Sequence, residues 1–128
     1  MTLSEAMYAI SWHKPERLLI LTWLEGTDGM DDDDFRDTLE VFADAAIHHR
    51  ADRLLIDVRE FRHRPSQEIL QWRDRVTVDK YNQAGVQRLA WIWPGDVTSM
   101  KPSSEQRTYD ERYLSVEEEA LAWLVDRT

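Results

Sequence analysis

The sequence predicts an α/β fold: a single mixed β-sheet of four to five strands with an N-terminal antiparallel hairpin, two crossover helices and a C-terminal helix. Three observations carry this. The runs Leu54-Leu55-Ile56 and Leu89-Ala90-Trp91-Ile92-Trp93 are apolar at consecutive positions, as in strands covered on both faces. Between the apolar runs the hydrophobic period changes from two to three or four residues, the signature of helices. Two apolar runs near the start flank a proline-bearing turn, which suits a hairpin. With 128 residues, 42% of them hydrophobic, the chain can bury one core and is too short for two ordinary domains, so residues 1–128 are read as one domain.

Taken in order, Tyr8, Ile10 and Trp12 alternate with Ala9 and Ser11 and predict an edge strand with one better buried face. The turn His13-Lys14-Pro15-Glu16 leads to the apolar run Leu18 to Leu24. Phe35, Leu39, Phe42 and Ala46 share one helical face and define the first crossover. After the strand at Leu54, a second stripe of Ile69, Trp72 and Val76, widened by Leu70 and Tyr81, defines a helix ending near Gly85. The fourth strand is Leu89 to Trp93. The stretch Asp96 to Glu111 has Pro102 and no apolar period, so it reads as a mobile loop. Arg112-Tyr113-Leu114 adds a short final strand. Ser115-Val116-Glu117-Glu118 then reads as a Ser-x-x-Glu capping box, opening a helix with Val116, Ala120, Trp123 and Leu124 on its buried face.

Charge excludes several partners. The chain carries 16 Lys and Arg against 25 Asp and Glu, a net charge of −9 that repels a nucleic-acid backbone and an anionic membrane surface. It has no cysteine, hence no disulfide, thiol nucleophile or thiolate zinc site. The apolar run Leu18 to Leu24 falls far short of the roughly 20 residues that span a bilayer. The start MTLSEAMYAIS lacks the basic and long apolar regions of a secretory leader, so the expectation is a cytoplasmic protein without a membrane span. No motif calls for a metal or cofactor.

In such a sheet a site belongs at the carboxyl ends of the parallel strands. Three segments meet there: the acidic loop Asp28 to Asp34, the basic loop Arg59 to Ser66, and the polar loop from Gly95. Residues 50–75 hold seven Arg against five acidic residues, the one net-basic part of the chain. Arg59, Arg62, His63, Arg64 and Ser66, the last as N-cap of the second helix, are the candidate ligand contacts for an anion. The plainer alternative is that these side chains pair with Asp31 to Asp34 across the rim, and the lack of a phosphate-binding glycine motif favours it.

Other clusters read more simply. Asp31 to Asp34 lacks the calcium-loop spacing and suits a helix N-terminus electrostatically. His48 and His49 suit a helix C-terminus, since adjacent helical residues do not converge on one metal. A Ser66, His63 and Asp57 triad can be drawn on paper but has no Gly-x-Ser-x-Gly elbow. Trp91 and Trp93 lie inside a strand pattern and read as core.

The hairpin opening, the segments Leu54-Leu55-Ile56-Asp57-Val58-Arg59-Glu60-Phe61 and Arg88-Leu89-Ala90-Trp91-Ile92-Trp93, and above all the ending Arg112-Tyr113-Leu114-Ser115-Val116-Glu117-Glu118-Glu119-Ala120-Leu121-Ala122-Trp123-Leu124 resemble the SpoIIAA-like family. That family's fold resembles the STAS domain of anti-sigma factor antagonists and has been compared with CRAL-TRIO lipid-binding domains. The resemblance implies a non-enzymatic regulatory or ligand-binding module, with an anionic or lipid-like small molecule or a protein as partner. It does not imply the family relatives' phosphorylation switch: an Asp-Ser-Ser-Gly-like turn is replaced by Arg62-His63-Arg64-Pro65-Ser66-Gln67. The rival readings are a small hydrolase and a receiver-like phosphoacceptor at Asp57, since Leu55-Ile56-Asp57-Val58-Arg59 resembles the aspartate-bearing strand of receivers. The acidic cluster follows the wrong strand for a receiver. Finally, Tyr8, Ile10, Trp12 and Trp23 give the hairpin more aromatic surface than one side of a small sheet needs, which predicts a homodimer with the first hairpin or an aromatic helix face at the contact.

Overall fold

Each strand pairs with its neighbour in sequence. In the computed structural model, which describes residues 6–98, 100 and 106–126, β1 (Tyr8–His13), β2 (Leu18–Trp23), β3 (Arg53–Asp57), β4 (Arg88–Ile92) and β5 (Asp110–Leu114) follow one another across the sheet. β1 and β2 are antiparallel and every later pairing is parallel. This is the α/β architecture that the sequence predicts, with its opening hairpin and mixed sheet.

The strand order explains where the helices go. Parallel crossovers are right-handed, so two that advance in the same direction across the sheet leave their helices on the same side. Accordingly α1 (Asp32–His49) and α2 (Gln67–Ala84) pack together over one face, while α3 (Glu117–Val125) covers the other. Side chains alternate along a strand, so Leu19, Leu21, Trp23, Leu54, Ile56 and Leu89 enter the core under α1 and α2. Leu18, Leu55, Ala90 and Ile92 meet Ala120 and Leu124 of α3. Coverage on both sides is why these strands read as unbroken apolar runs.

Helix ends follow the sequence expectation at α1, where the acidic cluster opens the helix, and depart from it at α3. Asp31, not a serine, forms the reciprocal capping box: its Oδ1 accepts the Asp34 N–H at 2.8 Å, and Asp34 Oδ2 accepts the Asp31 N–H at 3.2 Å. At α3 the expected Ser115 box is absent: β5 runs to Leu114, Ser115 is used to bend the chain, and Val116 takes the N-cap position without a side-chain bond. Val116 is therefore exposed rather than buried. The other end of α3 is tied down by two strand arginines. Arg53 Nε donates to the Leu124 carbonyl at 2.5 Å, and Arg88 Nη1 donates to those of Trp123 and Asp126 at 2.6 and 2.9 Å. Trp123 is half-buried, its ring flanked by the guanidinium groups of Arg88 and Arg112.

The buried stripe of α2 is rotated from the expected one. Ile69 and Tyr81 are buried as expected, but Thr77, Val78 and Ala84 complete the face while Trp72 and Val76 are only half-buried. Thr77 can be buried because its hydroxyl donates to the Arg73 carbonyl at 2.6 Å. Trp72 instead lies beneath the Arg36 guanidinium of α1. Gly85, at φ +85°, closes α2 in the left-handed conformation that glycine adopts without strain.

Two further expectations change. The segment expected as loop to Glu111 gives way to β5 at Asp110, and residues 99 and 101–105 of that expected loop lie outside the described residues. In the hairpin, Trp23 is 2% exposed, stacked on Phe35 at 5.6 Å and edge-on to Phe61 at 4.8 Å, so it offers nothing to a dimer contact. Its orientation follows from the strand alternation that turns it inward. Trp12 is half-buried and stacks on His49, the last residue of α1, at 4.4 Å. Among the described residues no helix is long and apolar enough to cross a membrane.

Candidate functional site

Ile56 of β3 lies in register between Leu21 of β2 and Trp91 of β4. A medium-sized side chain beside an indole leaves space above it, and a cavity of about 500 Å³ opens there. Ile56 and Val58 form its floor. Trp91, Trp93 and Pro94 line one side, Trp23, Phe35 and Phe61 the other, and Leu70 and Arg73 of α2 the roof. His63, Arg64 and Pro65 stand at the mouth. The volume lies in the range of small-molecule pockets, and the mostly apolar lining, rich in aromatic rings and with few polar groups, matches their usual composition.

The Trp91 wall is fixed from behind. Its Nε1 donates to Glu111 Oε1 at 2.7 Å, and the Glu111 side chain is fully buried. Tyr113 stacks on Trp91 at 5.6 Å with the planes 7° apart and meets Trp93 edge-on at 5.7 Å. Burial, followed by the nearby Glu111 charge, pushes the Tyr113 hydroxyl up to about 12. The same two causes raise Tyr109, and burial raises Tyr81, so this polar edge of the core stays in its neutral phenol form at ordinary pH.

At the mouth, the basic loop is pinned to the acidic N-terminal region of α1. The Arg62 N–H donates to Thr27 Oγ1 at 2.8 Å, and that fully buried hydroxyl donates onward to the Leu24 carbonyl at 2.8 Å. His63 Nε2 lies 2.9 Å from Asp32 Oδ1, which also accepts the Ser66 N–H at 3.3 Å. Bonds from Ser66, then from His63, hold the Asp32 carboxyl below its ordinary value. Ser66 Oγ accepts the Ile69 N–H at 3.2 Å and so caps α2, as the sequence expects.

The five candidate contacts are thereby sorted. His63 and Arg64 line the cavity. Ser66 is a cap beside it. Arg62 reaches outward to Glu25 and Glu60, each at 3.4 Å, in exposed pairs that contribute little. Arg59 is withdrawn from the group by strand alternation: Asp57 is in register with Ile92, on the α3 face, and Arg59 folds back onto it. Arg59 Nε and Nη2 bond the two Asp57 oxygens at 3.0 and 2.7 Å, and the Arg59 N–H adds a third bond at 3.0 Å. This pairing, with Glu117 of α3 contributing, holds the Arg59 guanidinium more firmly charged.

The Asp57 carboxylate is consequently engaged at both oxygens and 7% exposed. The drawn triad is not assembled, because His63 turns to Asp32 rather than Asp57. Among the described residues no group of three or more His, Asp or Glu is placed to hold a metal ion. Arg64 differs from the rest: it is exposed and has no hydrogen bond or ion pair among the described residues. The residue that sequence reasoning misses is Arg73, whose Nε and Nη2 bond Asp74 Oδ1 at 3.0 and 2.8 Å while the residue lines the roof. The sequence reads the aromatic walls as core, whereas Trp91 on β4 and Trp93 just past its end both line the cavity. Protein-family models, curated proteins and solved structures return no match to this chain.

Proposed function

We propose that the chain is a non-enzymatic ligand-binding module that takes an amphiphilic small anion into the cavity at the carboxyl rim. The observation that carries this is the combination of an aromatic-rich cavity of about 500 Å³ with an arginine at its mouth, Arg64, that has no hydrogen-bond or ion-pair partner among the described residues. The apolar part of such a ligand gains from leaving water, and its charged head stays at the rim beside Arg64, where water and a guanidinium both solvate it. Among the described residues the mouth assembles no nucleophile, base and oxyanion donor around one point, which acyl-transfer chemistry requires. The resemblance to the SpoIIAA-like family supports the same class of role, a binding or regulatory domain.

The test is fluorescence titration with 8-anilinonaphthalene-1-sulfonate, an amphiphilic anion. Saturable one-to-one binding to the folded wild-type chain, abolished in Leu70→Trp where the added ring fills the roof, is the expected result. Non-saturable binding, or binding indifferent to the filled roof, overturns the reading.

A further inference from the structure

Resting on the pocket reading above, we infer that the ligand is a planar aromatic monocarboxylate. The shape of the slot argues for the flat ring. Tyr113 backs Trp91 in a parallel stack on the β5 side, so the indole's other face looks across Ile56 toward β2. On that side stand Phe61 and Phe35, themselves held by Trp23. Trp91 of β4 and Trp23 of β2 stand on strands two apart, about 9.5 Å between backbones, and a ring needs about 3.5–4.0 Å to each neighbouring surface. One flat ring therefore fits between the walls and meets a π-face, gaining offset or edge contacts that a saturated chain of equal area does not make.

Charge at the mouth sets the head group. His63 is bonded to Asp32 and Arg73 to Asp74, which leaves Arg64 as the lining cation with no such partner among the described residues. One free guanidinium matches one carboxylate, whose two oxygens fit its fork. A dianionic phosphate would need a second free cation and would face the carboxylates of Asp32 and Asp74 close by.

Isothermal titration with 2-naphthoate, decanoate and 2-naphthalenemethanol decides the matter, with circular dichroism to verify that Arg64→Ala is folded. Naphthoate should bind about tenfold or more tighter than either comparison compound. Arg64→Ala should cost naphthoate about tenfold and leave the neutral alcohol within about twofold. Decanoate binding as tightly as naphthoate overturns the aromatic assignment while leaving the amphiphilic pocket standing. Equal affinity for the alcohol overturns the carboxylate assignment. If anilinonaphthalenesulfonate saturates the cavity and naphthoate does not bind, this inference alone fails; if neither binds, the pocket reading fails with it.

Discussion

The two faces of the sheet are made by the same strands and differ in almost everything else. Under α1 and α2 the packing is thick and aromatic, with Trp23, Phe35, Phe42 and Tyr81 in one cluster and an open cavity at the rim. Under α3 it is thin and aliphatic: six buried residues, Leu18, Leu55, Ala90, Ile92, Ala120 and Leu124, and at the rim a closed ion pair, Asp57 with Arg59. Arg59 and Arg64 come from one basic loop, yet the first is neutralised on the thin face and the second stands open on the thick one. A run of like residues after a strand is thus divided by strand alternation and the path of the loop.

The largest expected effect tests the thickness. Phe42 is fully buried and meets Tyr81 edge-on at 6.1 Å, so Phe42→Ala should destabilise the fold by about 3–5 kcal/mol in urea denaturation. Leu124→Ala, beneath a nine-residue helix that can settle inward, should cost about 2–3 kcal/mol. Equal losses would remove the distinction between the two packings.

The next tests the separation of the charges. Asp57→Ala frees Arg59, whose side chain is 41% exposed and can turn to water, so the stability loss should be about 1–2 kcal/mol. Affinity for an anionic probe in the cavity should stay within about twofold, because Asp57 faces away from it. A loss matching that of Arg64→Ala would show the faces to be coupled.

The smallest concerns helix starts on the two faces. Asp31→Ala breaks a reciprocal cap and should cost about 1 kcal/mol. Ser115→Ala should stay within about 0.5 kcal/mol, since the serine caps nothing. The reverse order, read from thermal melts, would restore the serine box that the sequence suggests.

Legibility followed the length scale of each cause. The strands could be read because burial on both faces writes itself into consecutive apolar residues, and the α1 stripe because Phe35, Leu39, Phe42 and Ala46 are unambiguous. The α2 stripe was misplaced because Thr77 counts as polar until its hydroxyl is seen bonded within the helix, and Trp72 counts as core until Arg36 is seen to cover it. Cap residues depend on where the preceding strand stops, which moved the start of α3 by one position. His63 and Arg64 were legible as basic loop residues. The cavity was not, since it depends on Ile56 standing beside Trp91, and strand register between distant segments is not written in either segment alone. Arg73, inside a helix rich in charge, looked like solvated surface.

Sequential strand order also bears on how the chain folds. Each strand joins the one made just before it, so each closure spans one crossover, residues 24–52 from β2 to β3 and 58–87 from β3 to β4, and the sheet can grow from its N-terminal hairpin in chain order. The last helix is the exception. Until residues 117–125 dock and Arg53 and Arg88 take up their carbonyls, Leu18, Leu55, Ala90 and Ile92 form an uncovered aliphatic strip across three neighbouring strands. A nascent or partly opened chain therefore shows a sticky surface on the face opposite the cavity, and the exposure of that strip during synthesis or heating lasts until one short helix arrives.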